Sequence, residues 1–385
     1  MNKMKKLNRT RLLSIGVIAS MVGLVFTGSA AHSMGTIKMD SLTGAPATVD
    51  SSAEDAAIRK LVNGRTIKLG FAPPILSEAY TEAQQGAWNQ MADYAKRYGV
   101  KWVWTREAPL NNAHSGVETA GFIQNYVAKK YDAVFVCSAA PAATMQQLYK
   151  LGSAKGVEFY QFNSTEQLNQ RSQATSESAG LYSVSNISYD NRWQSGALAA
   201  KYIAKKLNGK GQIIMILGPA GSDWTKLREQ GFRAVVKQYP GLKIVGSADG
   251  GYVRDKGLTA AADLLTKYPT INAIYGENED MALGASAAID AAHLKHWDGT
   301  SGIITIGADG LVSGMDEIRK GNLTATVDVG YADMGRTMIR TMFSHLVLGM
   351  DVNQFIRVPS VVVDNTNVDI FQAQIKAELA TKIQY

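Results

Sequence analysis

Arg228, Asn278 and Asp309 each follow a short apolar run of the kind that forms a buried strand. The runs are Gln212–Leu217, Ile271–Tyr275 and Ile303–Gly307. Open α/β sheets bind ligands beyond the carboxyl ends of their strands. A guanidinium, an amide and a carboxylate gathered there can donate and accept several hydrogen bonds at once. Bonds to charged groups are the stronger kind. Each residue also has a plainer use. Asp309 stands before Gly310, where it suits a turn, and Asn278 is placed to cap the helix containing Met281. Arg228 can be a solvated surface charge, and Trp224, one helical turn before it on the same side, can be core or a face for a ligand.

Catalysis finds little support. His32, His114, His293, His296 and His345 are scattered, with no nucleophile or carboxylate spaced to make a triad. No cluster of Cys and His suggests a metal site, so neither metal nor cofactor is expected. Gly218-Pro219-Ala220-Gly221 lacks the Lys-Ser/Thr of a phosphate-binding loop. The chain reads as a binder and not an enzyme.

The elements that must position these residues alternate strand and helix from Thr66 onward. Apolar runs at 66–71, 100–104, 133–137 and 157–162 are separated by helical segments, and the last ends at Asn163. A polar stretch, Asn163 to Gly180, follows as a surface loop or hairpin and a seam between lobes. The alternation then resumes from Asn191 to Leu348, with a last strand near Ser360–Val363 and a polar tail. The fold class is α/β, in two doubly wound lobes.

The chain has 385 residues, more than one core usually organises. Of its 40 basic residues, Lys3, Lys5, Lys6, Arg9 and Arg11 fall in the first 31, where no acid occurs. Without them, 35 basic residues face 33 acidic ones, which is no footprint for nucleic acid. That basic head, the apolar run Leu12–Phe26 and the small residues Gly28–Ala31 form an export signal. The run is shorter than the roughly 20 apolar residues that span a bilayer, so cleavage after Ala30 or Ala31 is expected. A single cysteine, Cys137, allows no internal disulfide. A periplasmic destination fits best.

Six motifs then stand in order: Tyr189-Asp190-Asn191 with Gly196 and Ala199; Gly218–Gly221 followed by Arg228-Glu229-Gln230-Gly231-Phe232; Tyr252 with Lys256-Gly257; Glu277 to Ala285; Ile306-Gly307-Ala308-Asp309-Gly310; and Gly321 to Val327. With these the chain resembles the type I periplasmic substrate-binding proteins, the ribose- and galactose-binding family, over roughly Thr66 to Asp364. The resemblance implies two lobes joined by a three-crossover hinge and closing over one small ligand. The expected division is a signal peptide at 1–31, a lead-in at 32–65, a first lobe at 66–185 plus 330–355, a second lobe at 186–329 plus 356–366, and a tail at 367–385.

The resemblance also implies residue roles. Arg228 matches the family's ligand-binding arginine, and Tyr252 an aromatic that lines its sugar pocket. Asn163 stands where sugar binders often carry Asp followed by Arg, a departure. Ser77, Glu78 and Tyr80 stand where the family shows Asn and paired aromatics, so only one aromatic is kept and a carboxylate is added. Asn191, with Asp190, opens the first helix of the second lobe, and Trp193 and Trp224 lie close to the cleft. Near Val329 the family's usual polar ligand residue is altered. The implied ligand is a small sugar or polyol, passed by a monomer to the membrane permease of an ABC importer. A sensory receptor of the same fold, reporting to a membrane kinase or chemoreceptor, is the alternative.

Overall fold

A computed structural model describes residues 38–39, 46–48, 52–109, 115–137, 142–163, 182–189, 192–383 and 385. The export signal at 1–31, the polar stretch at 164–180, Asp190, Asn191, His32 and His114 lie outside the described residues. Among the described residues no helix is long and apolar enough to cross a membrane.

The chain runs through β1 (Thr66–Ala72), β2 (Lys101–Arg106), β3 (Ala133–Val136), β4 (Glu158–Phe162) and β5 (Ser185–Tyr189). It continues through β6 (Lys210–Leu217), β7 (Gly241–Asp249), β8 (Ala273–Gly276), β9 (Ile304–Asp309) and β10 (Ala325–Asp328), and ends with β11 (Phe355–Val358) and β12 (Val361–Asp364). Two six-stranded sheets result, in the orders β11-β5-β4-β3-β1-β2 and β12-β10-β9-β8-β6-β7. Within these two sheets every pairing is parallel except that of β12, which runs antiparallel to β10 at the edge of the second sheet. Strands such as Ala133–Val136 and Ala273–Gly276 are buried throughout, as sheets covered on both faces require.

Between the sheets the chain crosses three times: after Tyr189, between Asp328 and Tyr331, and between Val358 and Val361. The boundaries expected at 185/186 and 355/356 therefore fall at the starts of β5 and β11, and both strands pair in the first sheet. The polar residues of β5 are not turned to solvent. Ser185 Oγ instead donates to the Asn353 carbonyl at 2.8 Å, and Asn186 Nδ2 to Gln161 Oε1 at 3.1 Å.

The helices that matter for the site are α1 (Glu78–Tyr98), α2 (Arg192–Lys206), α3 (Asp223–Val236), α4 (Glu279–Ala291), α5 (Val312–Lys320), α6 (Tyr331–Met342) and α7 (Val368–Leu379). Glycines let α2 and α3 touch backbone to backbone. A Cβ on Gly196 would lie 2.0 Å from the Arg228 carbonyl oxygen, and one on Gly231 1.8 Å from that of Trp193. This contact fixes the helix that carries Arg228. α6 runs without a break into a π-helical turn over Phe343–Val347. The segment expected as a polar tail contains α7, whose Val368 is buried against Met315 and Ile318 of α5.

Candidate functional site

Arg228 and Asp309 meet at the carboxyl end of the second sheet. Arg228 Nη2 lies 3.2 Å from Asp309 Oδ1, and both residues are buried. The guanidinium reaches further. Its Nη2 and Nε donate to the Tyr189 hydroxyl at 3.0 and 3.3 Å, and its Nη1 donates to the Glu277 carbonyl. Tyr189 ends β5 of the first lobe, so Arg228 spans the junction of the lobes.

Asp309 is held by its own turn. Its φ of 140° is a region that non-glycine residues rarely enter. The Gly310 amide that follows donates to Glu279 Oε2 at 3.1 Å and to Thr326 Oγ1 at 3.3 Å. Thr326 Oγ1 also donates to Glu279 Oε2, so one buried carboxylate ties β10 to the Asp309 turn. A Cβ on Gly310 would lie 2.4 Å from Asp328 Cα, which leaves room only for glycine there.

The first lobe supplies hydroxyls and aromatic faces. Asn163, buried and with φ 42°, donates from Nδ2 to the Tyr80 hydroxyl at 3.2 Å and the Tyr331 hydroxyl at 3.4 Å. Tyr80 meets Phe162 and Tyr331 edge to face, with ring centres 6.0 and 5.9 Å apart. The charges of Asp309 and Arg228 both act on the Tyr331 hydroxyl, so the first-lobe group lies within electrostatic reach of the second-lobe pair.

Burial dominates the electrostatics. It pushes the Asp309 carboxyl up to about 6 against the pull of Arg228, and Asp328 up to about 7. Glu277 and Glu279 are driven to about 8 by the same cause. Burial works against the charge on Arg228, yet Tyr189 and Asp309 outweigh it and raise its pKa. The site therefore holds a firm cation beside several carboxyls that ionise reluctantly. Among the described residues no group of three or more His, Cys, Asp or Glu is placed to hold a metal ion.

The other expected residues divide. Tyr252 (φ 60°) hydrogen-bonds through its hydroxyl to Thr225 Oγ1 at 2.9 Å, on the helix of Arg228. Asn278 caps α4, with Oδ1 accepting from the Met281 amide at 3.0 Å, while its Nδ2 lies 3.5 Å from the Tyr252 carbonyl. Trp224 packs against the core of the first lobe, across the junction, and Trp193 is exposed. Ser77 precedes α1, and its carbonyl accepts from the Thr81 amide at 3.0 Å and from Thr81 Oγ1 at 2.9 Å. Glu78 is turned to the opposite lobe, where its Oε1 accepts from the Ser313 amide of α5 at 3.0 Å. Glu82, one turn on and buried, accepts from the Val312 amide at 3.4 Å. These two carboxyl groups cap a helix whose preceding residue, Leu311, has no capping side chain, and burial pushes Glu82 up to about 9.

Sequence reasoning missed Tyr189, Tyr331, Asp328, Glu277, Glu279 and Glu82. Asp328 ends β10 and answers to the same strand-end rule that selects Asp309. Tyr189 opens the quoted Tyr-Asp-Asn motif, but nothing local ties it to a residue 39 positions away.

A family model described as a periplasmic binding protein domain matches residues 69–349. The chain is 25% identical over 313 residues to the xylitol-binding protein of Mycolicibacterium smegmatis, covering 80% of both chains. It is 33% identical over 144 residues to the ribose import binding protein of Escherichia coli, covering 37% of this chain and 46% of that protein. An Actinobacillus succinogenes periplasmic solute-binding protein with bound D-allose superposes with a TM-score of 0.68 at 22% identity, covering 79% of this chain and 99% of that one. A Bacillus halodurans solute-binding protein with bound myo-inositol gives 0.66 at 19% identity, covering 80% and 98%.

Proposed function

The chain belongs to the periplasmic binding protein family, and on that premise we propose that it captures a monosaccharide or polyol between its lobes and delivers it to an ABC importer. One observation carries the reading: a buried Arg228–Asp309 pair at a sheet's carboxyl end, opposite Asn163, Tyr80 and Tyr331. Asp309 can accept from two ligand hydroxyls, Arg228 and Asn163 can donate to others, and the tyrosine rings can cover a carbon skeleton. The relatives named for xylitol and ribose, and the neighbours holding allose and myo-inositol, support a neutral polyhydroxylated ligand. Tyr252, Asn278 and Trp224 belong to the second-lobe wall in this reading. Ser77 and Glu78 belong to the rim.

The ligand would favour the closed arrangement, and the permease would recognise that form, with the protein acting as a monomer. Export follows from the basic head and apolar run, with the mature chain beginning after Ala30 or Ala31. Intact mass of the exported protein tests this, and a species retaining Met1–Phe26 would refute it. A thermal-shift screen of neutral pentoses, hexoses and polyols tests the ligand class. Stabilisation by none of them, with stabilisation by an amino acid or a peptide, would overturn it.

A further inference from the structure

The last helix sits on one lobe and hands the chain to the other. On the second lobe, α7 buries Val368 and packs Phe371 and Ile375 against the cluster of Met315, Ile318 and Leu323. Gln372, itself buried, donates to Asp316 Oδ1 at 2.7 Å and accepts from Arg319 Nη1 at 3.2 Å. Lys376 adds an ion pair to Asp316 at 3.1 Å. From Glu378 onward the partners change lobe. Arg336 of α6 pairs with Glu378 at 2.5 Å, and Gln85 Nε2 of α1 donates to the Thr381 carbonyl at 2.9 Å. Asn89 Nδ2 of α1 reaches the Glu378 carbonyl at 3.4 Å, and Tyr385 packs against the first-lobe core.

The same two helices, α1 and α5, also meet at the cleft rim, where Glu78 and Glu82 cap α5 from the opposite lobe. Gln85 lies three residues beyond Glu82 on α1, about 4.5 Å along its axis. A rotation that draws Glu82 away from Val312 therefore also pulls Gln85 from Thr381, unless the last residues peel away. None of the three crossovers supplies this link.

We infer that Val368–Tyr385 is a strap, a fourth connection that ties α5 of the second lobe to α1 of the first and limits how far the ligand-free protein opens. A protein held part-closed loses less affinity to reorganisation, because apparent affinity scales with the fraction already competent to bind. The inference rests on the proposed function only in treating the lobes as opening and closing. Its test therefore uses ligand-free protein, so a wrong ligand assignment leaves it untouched.

Spin labels on Leu151→Cys in the first lobe and Lys237→Cys in the second, both exposed, report the interlobe distance, and the native Cys137 is buried. A chain truncated after Ala377 keeps Val368, Phe371, Gln372, Ile375 and Lys376 on their own lobe but loses Glu378 and the later residues that reach α1 and α6. Its distance distribution should move away from that of the full chain and broaden, with the melting transition still cooperative. Should the truncated chain fail to fold, the full-length Gln85→Ala/Asn89→Ala variant decides, and it should shift in the same direction. An unchanged distribution in the folded truncated chain, or in that double variant where the truncation does not fold, overturns the strap.

Discussion

Arg228 Nη2 and Asp309 Oδ1 lie 3.2 Å apart inside the protein, one on a helix after β6 and the other at the end of β9. A buried pair of this kind is weak evidence for stability alone, since desolvation can offset the attraction. Its placement at a strand end, against a first-lobe tyrosine, is what points to ligand recognition.

Asp309→Ala strands a buried guanidinium and should cost about 3–5 kcal/mol of stability. Asp309→Asn keeps the shape and one acceptor, so it separates folding from binding. In the Asn variant we expect affinity for a neutral sugar or polyol to fall ten- to a hundredfold, about 1.5–3 kcal/mol. Calorimetric titration beside a denaturant melt measures both. Unchanged affinity in the folded Asn variant would reduce Asp309 to a turn former.

Tyr189→Phe removes the hydroxyl that accepts twice from Arg228 and leaves the ring, whose centre is 5.7 Å from the guanidinium carbon. The orphaned donors should cost about 1–3 kcal/mol of stability. Affinity should fall with it, because Arg228 loses its first-lobe anchor. A Phe variant with wild-type melting and wild-type affinity would show that the contact does nothing.

Much of this arrangement was readable in the chain. Apolar runs between Gly- and Pro-rich turns located most of the strands, and the strand-end rule picked out Arg228, Asn278 and Asp309. Three kinds of residue escaped. β5 and β11 carry Ser185, Asn186, Ser188 and Arg357 among their apolar residues, so they lack the continuous apolar run that marks the other strands. Val368–Leu379 looked polar because its apolar residues form one narrow face, visible only once α5 is there to receive it. Tyr189 and Glu82 owe their roles to partners 39 and 230 residues distant, which no window of sequence contains.

Stability should decline from neutral toward alkaline pH. Burial raises Asp309, Asp328, Glu277 and Glu279 to values from about 6 to about 8, so the native state holds protons that the unfolded chain has released above about pH 4. Their stabilising contribution is complete below that point and is lost as pH rises through 6 to 8. Glu317, held low by Lys320, acts in the opposite sense, but only near and below the ordinary carboxylate range. The melting temperature should drop between pH 6 and pH 9, and less steeply in Glu279→Gln. A melting temperature that climbs over this interval, or an unaltered slope in the variant, would contradict the electrostatic account.

The most direct test of a closing sugar binder built on Arg228 is calorimetric titration of wild-type and Arg228→Ala protein with a panel of xylitol, ribose, allose, arabinose and myo-inositol. The account predicts one-to-one binding of at least one compound by the wild type. It also predicts at least a tenfold loss, about 1.4 kcal/mol or more, in an Arg228→Ala protein shown by melting to be folded. Absence of binding by the wild type, or undiminished affinity in folded Arg228→Ala, would contradict it.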